Sequence, residues 1–75
     1  MMKTYLEVMI SSNGAKASDI TSKLIEMGFE TGYGQHDFVY TWKKDVVMSQ
    51  LLHFIDQVQE KLKDANVFLK FQTIS

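Results

Sequence analysis

Seventy-five residues, 45% of them hydrophobic and 23% charged, have the composition of one ordinary soluble domain spanning 1–75 and exclude a disordered or fibrous chain. The net charge is −1, from nine acids against eight lysines, with no arginine and no cysteine. Lack of cysteine excludes a disulfide, a thiolate nucleophile and a Cys-type zinc or iron–sulfur site. Lack of arginine removes the preferred fork for phosphate and guanine, which argues against duplex nucleic acid, phosphoryl chemistry or an arginine-clamped active site.

The lysines are scattered, Lys43 and Lys44 being the one adjacent pair, so no basic stripe or membrane-surface patch forms. Apolar runs are short and Met1 to Thr4 open without a hydrophobic stretch, so the expectation is no membrane span, no secretory signal and a cytoplasmic location.

In chain order, Thr4 to Ser11 alternates, with Leu6, Val8 and Ile10 on one face and Thr4, Tyr5, Glu7, Met9 and Ser11 at the end and on the other face, as in a half-buried strand. Ser11, Ser12, Asn13 and Gly14 are turn formers. A helix follows, with Ala17, Ile20, Leu24 and Met27 in one apolar stripe and Asn13 or Ser18 as candidate N-caps. Gly28 suits a left-handed residue just past the helix end, with Phe29 placed to pack on Leu24. Phe29 to Tyr33 and Phe38 to Lys43 read as two strands around a turn at Gly34, Gln35, His36 and Asp37.

Asp45 is the expected N-cap of a second helix reaching Ala65, with a seam of Met48, Leu51, Ile55, Val58, Leu62 and Ala65. Val47, Leu52 and Phe54 lie off that seam. Asn66 suits a left-handed stop, and Val67 to Ile74 alternates as a last strand, with Phe68 turned opposite to Val67, Leu69 and Phe71. Strand, helix, strand, strand, helix, strand is the order of an α+β, ferredoxin-like βαββαβ sandwich: a four-stranded antiparallel sheet with two helices on one face.

Chemistry is sparse. His36 and His53 have no second ligand at metal spacing, and Ser11 and Ser12 lack a local activating base, so neither a metal site nor an enzyme is expected, and no cofactor is implied. Gly32, Tyr33 and Gly34 followed by Phe38, Val39, Tyr40, Thr41 and Trp42 partly match the aromatic third strand of an RNA-recognition motif. Gln35, His36 and Asp37 interrupt that match, leaving a single-stranded RNA module built on Tyr40 and Trp42 as the alternative reading.

Other ferredoxin-like activities fail on missing residues: acylphosphatase chemistry wants an arginine, heavy-metal binding a CxxC, and KH-type binding a GxxG loop. Ile20, Leu24, Gly28 and Phe29, following Asn13, Gly14 and Ala15, resemble the pattern of ACT-like regulatory domains. Ser11, Ser12 and Asn13 stand where that family usually carries an acidic residue. The resemblance implies a non-enzymatic domain with a small polar or carboxylate ligand at Ser11, Ser12, Asn13 and Gly14.

Self-association through the sheet, as a homodimer or larger assembly, is the other expectation. Its interface residues are Tyr5, Met9, Tyr40, Trp42 and Phe68. The third strand leaves two parities open: Phe38, Tyr40 and Trp42 face outward with Tyr5 and Met9, or they fill the core and Val39 and Thr41 face outward instead.

Overall fold

The computed structural model describes residues 2–32 and 37–75 of the protein. Within them the chain runs β1 (Lys3–Ile10), α1 (Ala17–Glu26), β2 (Glu30–Thr31), β3 (Phe38–Thr41), α2 (Met48–Lys61) and β4 (Val67–Ile74). The sheet order is β2-β3-β1-β4, and every neighbouring pair is antiparallel. Each helix therefore carries the chain past one intervening strand. The expected α+β class, with four antiparallel strands and two helices, is found.

One face of the sheet carries the core. Leu6 and Phe38 from the strands meet Ile20 and Leu24 of α1 and Val58 of α2, with Phe29, Leu62 and Ala65 closing the cluster. Leu6, Ile20, Leu24 and Val58 are essentially sealed from solvent, each contributing about 1.5–3 kcal/mol of transfer energy. Both helices draw on this cluster, so both cover the same face.

The end of α1 follows from sequence. Phe29 N–H reaches Leu24 C=O at 3.1 Å and Gly28 N–H reaches Ile25 C=O at 2.9 Å, the paired bonds of a Schellman stop. Gly28 sits at φ +102°, a region a Cβ disfavours, and Leu24 and Phe29 are both buried beside it. The start of α1 differs from expectation. Its N-cap is Lys16, without a side-chain cap, rather than Asn13 or Ser18, because the preceding residues are held elsewhere. Ala15 N–H bonds Ala65 C=O at 3.0 Å, drawing the loop against the turn before β4.

α2 is shorter than its apolar seam suggested. It starts after Val47 rather than Asp45; Gln50 Oε1 accepts from Val47 N–H at 3.1 Å, and valine has no side-chain acceptor to complete a reciprocal box. Beyond Lys61 the backbone tightens, with Ala65 N–H to Leu62 C=O at 3.0 Å, and Asn66 takes φ +56° as its left-handed role requires. Of the three apolar residues off the seam, Phe54 packs inward while Val47 and Leu52 stay exposed.

The parity of β3 is the second of the two alternatives. Phe38 is buried and Tyr40 and Trp42 lie on the helix side, packed with Phe54 at ring-centroid separations of 4.5 and 5.0 Å. Phe29 joins the group 5.6 Å from both Tyr40 and Phe54. The hairpin of β2 and β3 is closed by Gly32 N–H to Asp37 C=O at 2.8 Å. The expected strand end at Tyr33 and the turn residues Gly34, Gln35 and His36 lie outside the described residues.

Candidate functional site

The open face of the sheet, opposite the helices, is set by period-two geometry. Tyr5, Glu7 and Met9 project there from β1, and register places Gln72, Lys70 and Phe68 of β4 directly opposite them. Val39, opposite Tyr5, and Thr41 extend the face across β3, and Glu30 borders Val39 from β2. Tyr5, Met9 and Phe68 thus sit where the sequence reading put them. Tyr40 and Trp42 do not: their side chains fill the layer beneath α2, because the same parity that buries Phe38 carries both inward.

Two features distinguish this face. Met9 and Phe68, cross-strand partners, are 70% and 77% exposed, far more than large apolar side chains need be in a folded core. Beside them Lys70 Nζ lies 3.7 Å from Glu7 Oε2. Glu7, Met9, Phe68 and Lys70, with Asp37 at the margin, line a depression of about 360 Å³. A second hollow of about 310 Å³ lies across the face, between Tyr5, Val39 and Thr41 and the hairpin residues Glu30 and Thr31. On the strands Lys3 and Lys70 stand against Glu7 and Glu30, and Asp37 adds one negative charge at the margin.

Ser11, Ser12, Asn13 and Gly14 form a tight turn. Ser11 C=O accepts from Gly14 N–H at 3.0 Å and Ser11 Oγ accepts from Asn13 N–H at 3.2 Å. With Ala15 N–H engaged by Ala65, these amides bind the protein itself, and the exposed side chains of Ser12 and Asn13 are what the turn offers to solvent. Gly14 is required by close approach: a Cβ there would stand 2.5 Å from the Ala65 carbonyl oxygen.

Two features escaped the sequence reading. Thr4 is fully buried on the inner face, bonded to Thr73 Oγ1 at 2.9 Å and accepting from Trp42 Nε1 at 2.9 Å. Asp37 Oδ2 accepts from Val8 N–H at 2.8 Å, two residues beyond the Leu6–Phe38 pair of β1 and β3. Ile74, outward beside Lys3, was legible by counting parity on from Phe68.

His53 lies exposed on α2, lining a hollow with Trp42, Gln50, Phe54 and Gln57; His36 is outside the described residues. Among the described residues no three His, Asp or Glu side chains converge on one point, and no helix is long and apolar enough to cross a membrane. The chain matches no protein-family model, no curated protein and no solved structure.

Proposed function

We propose that this chain is a small, non-enzymatic assembly domain that associates with further copies of itself through the open face of its sheet. The observation that carries the reading is the exposed pair Met9 and Phe68 beside the Glu7–Lys70 ion pair. Contiguous apolar surface of this kind, rimmed by polar groups, marks contact sites on soluble proteins. Its charge pattern is self-complementary: a two-fold contact sets Glu7 of one copy near Lys70 of the other, and lysines and glutamates are equal in number on the strands of the face. The element order and the strand order β2-β3-β1-β4 support a ferredoxin-like arrangement, whose sheet face has no second layer of its own.

A carboxylate ligand at Ser11 to Gly14 draws less support from the geometry, since the amides of Asn13, Gly14 and Ala15 are already engaged. Single-stranded RNA stacking on Tyr40 and Trp42 draws less as well, because both rings pack against Phe54 rather than lying on the open face.

Sedimentation equilibrium at tens of micromolar tests the reading. The expected result is a species heavier than 8.7 kDa whose mass falls in Met9→Lys, a change the exposed site tolerates without loss of fold. A wild-type mass of 8.7 kDa, or association indifferent to Met9→Lys, overturns it.

A further inference from the structure

A second contact surface, distinct from the open face, lies along the outer edge of β4. Trp42 N–H bonds Met2 C=O and Val8 N–H bonds Asp37, so the even-numbered residues of β1 aim their backbone groups toward β3. The odd-numbered ones aim at β4, where Lys3, Tyr5, Glu7 and Met9 oppose Ile74, Gln72, Lys70 and Phe68. Consequently Val67, Leu69, Phe71 and Thr73 direct their N–H and C=O groups away from the sheet, and among the described residues no strand lies beyond them. The eight residues of β4 pair with β1 in unbroken register. Natural edges are blunted by proline, a bulge, an inward charge, extreme shortness or a lysine on the edge strand, and of these β4 carries only Lys70, whose side chain lies on the open face beside Glu7.

α2 adds apolar surface on the same side. Gln50, His53, Phe54 and Gln57 share a hollow with Trp42, so that flank of the helix overlies the β3 side. Gln59 and Lys63 share another with Val67 and Leu69, so the opposite flank overlies the β4 edge. At 3.6 residues per turn, Met48, Leu52 and Ile55 continue the stripe of Gln59 and Lys63. Met48 and Leu52 are 66% and 51% exposed there, which the core does not explain.

The geometry points to a second copy of this chain pairing antiparallel along β4, so that two four-stranded sheets become one continuous sheet with the two α2 helices alongside each other above the joint. A two-fold pairing must oppose outward-aimed residues to outward-aimed residues, which leaves few registers. With Phe71 opposite Phe71 of the other copy, Leu69 meets Thr73 on the helix side. On the open face Phe68 then meets Ile74 and Lys70 meets Gln72, apolar with apolar and cation with amide. Sliding one way sets Lys70 against Lys70, like charges directly opposed; sliding the other way sets Lys70 against Ile74 and costs the apolar pair. The sequence of the edge therefore matches itself best in one register, and that register uses every outward backbone group from Leu69 to Thr73. This contact is independent of the open-face contact, and both can operate in one assembly.

Amide hydrogen exchange, measured above and below the association midpoint, distinguishes the two. Amides of Phe68, Lys70 and Gln72 are held by β1 and exchange slowly at both concentrations. Those of Leu69, Phe71 and Thr73 are expected to slow by about tenfold or more in the concentrated sample only. Leu52→Glu, at an exposed site, is expected to abolish that slowing with the melting temperature of the dilute protein unchanged, whereas Met9→Lys leaves it in place. Concentration-independent exchange at Leu69, Phe71 and Thr73 overturns edge pairing. If association persists in Leu52→Glu but is lost in Met9→Lys, edge pairing fails while the open-face reading stands. If Met9→Lys leaves the associated mass unchanged with the odd-numbered amides protected, the open-face reading fails and edge pairing stands.

Discussion

Trp42 donates its indole N–H to the Thr4 hydroxyl at 2.9 Å, and Thr4 is in turn bonded to Thr73 at 2.9 Å, so one fully buried side chain ties the end of β3 and the edge strand β4 to β1. A buried hydroxyl without partners costs about 1–3 kcal/mol, whereas here each of its contacts is satisfied. Thr4→Val keeps the shape and removes the acceptor. It is expected to lower unfolding stability by about 1–2 kcal/mol, since Trp42 and Thr73 both lose a partner. Adding Trp42→Phe removes one orphaned donor, so the double variant should cost less than the sum of the singles in urea titrations.

The two structurally constrained glycines should both resist substitution, for different reasons. Gly28→Ala forces a Cβ onto a residue at φ +102° and sets it 2.9 Å from Cε1 of Tyr40, a ring already packed against Phe29 and Phe54. Gly14→Ala sets a Cβ 2.5 Å from the Ala65 carbonyl, which is backbone and anchors Ala15. A turn-only reading of Gly14 makes it the more tolerant position, but the close approach removes that tolerance. Each substitution is expected to cost about 1–3 kcal/mol in urea midpoints. A Gly14→Ala protein as stable as wild type would mean that the loop does not dock on the Ala65 turn.

Phe54 contacts three other rings, with centroids 4.5 Å from Tyr40, 5.0 Å from Trp42 and 5.6 Å from Phe29. Phe54→Ala is therefore expected to cost about 3 kcal/mol, within the range for removing a packed ring. Val47→Ala, two-thirds exposed, should change stability by less than about 0.5 kcal/mol. The contrast is readable by thermal unfolding of the two variants, and comparable losses would place Phe54 outside the cluster.

What the sequence made legible was whatever local chemistry dictates. The Leu24, Gly28 and Phe29 stop of α1 and the left-handed Asn66 depend on residues adjacent in the chain, and both are found. The faces of β1 and β4 followed from strict alternation. The parity of β3 did not, because Phe38, Val39, Tyr40, Thr41 and Trp42 offer large side chains to both faces, and the decision rests on Phe54 and Phe29 filling one side. Thr4 escaped for the complementary reason: a hydroxyl reads as surface until Trp42 and Thr73 arrive from distant parts of the chain. The end of α2 was overestimated because Leu62 and Ala65 are buried in a turn that keeps the helical stripe without the helical backbone. The same limit applies to the site: exposure of Met9 and Phe68 could be counted from alternation, while consumption of the Ser11–Gly14 amides depends on a tertiary contact.

Asp37 holds β1 beyond its last pair with β3 by accepting from Val8 N–H at 2.8 Å. Asp37→Ala leaves that amide to solvent at an exposed position, so stability should fall by no more than about 1 kcal/mol while exchange of the Val8 amide rises by more than any other in β1. Unchanged Val8 exchange would show that the carboxylate does not hold the strand end.

The Glu7–Lys70 pair separates folding from assembly. Lys70 is 80% and Glu7 37% exposed, with 3.7 Å between the charges, so the pair lies in water and Lys70→Ala should alter unfolding by less than about 0.5 kcal/mol. Under the proposed two-fold contact the same charges become partly desolvated and meet their opposites on the second copy, where a like-charge clash is far more costly. Glu7→Lys leaves three lysines and one glutamate on the strands of the face and is expected to shift the association midpoint upward by about tenfold or more, an effect that added salt weakens. Reversing both members, Glu7→Lys with Lys70→Glu, restores complementarity within and between copies, and association should return to near its wild-type midpoint. Velocity sedimentation across a concentration series reads all three proteins. If the double reversal associates no better than Glu7→Lys alone, the charges do not face each other across the contact, and the orientation of the two sheets must be different from the one argued here.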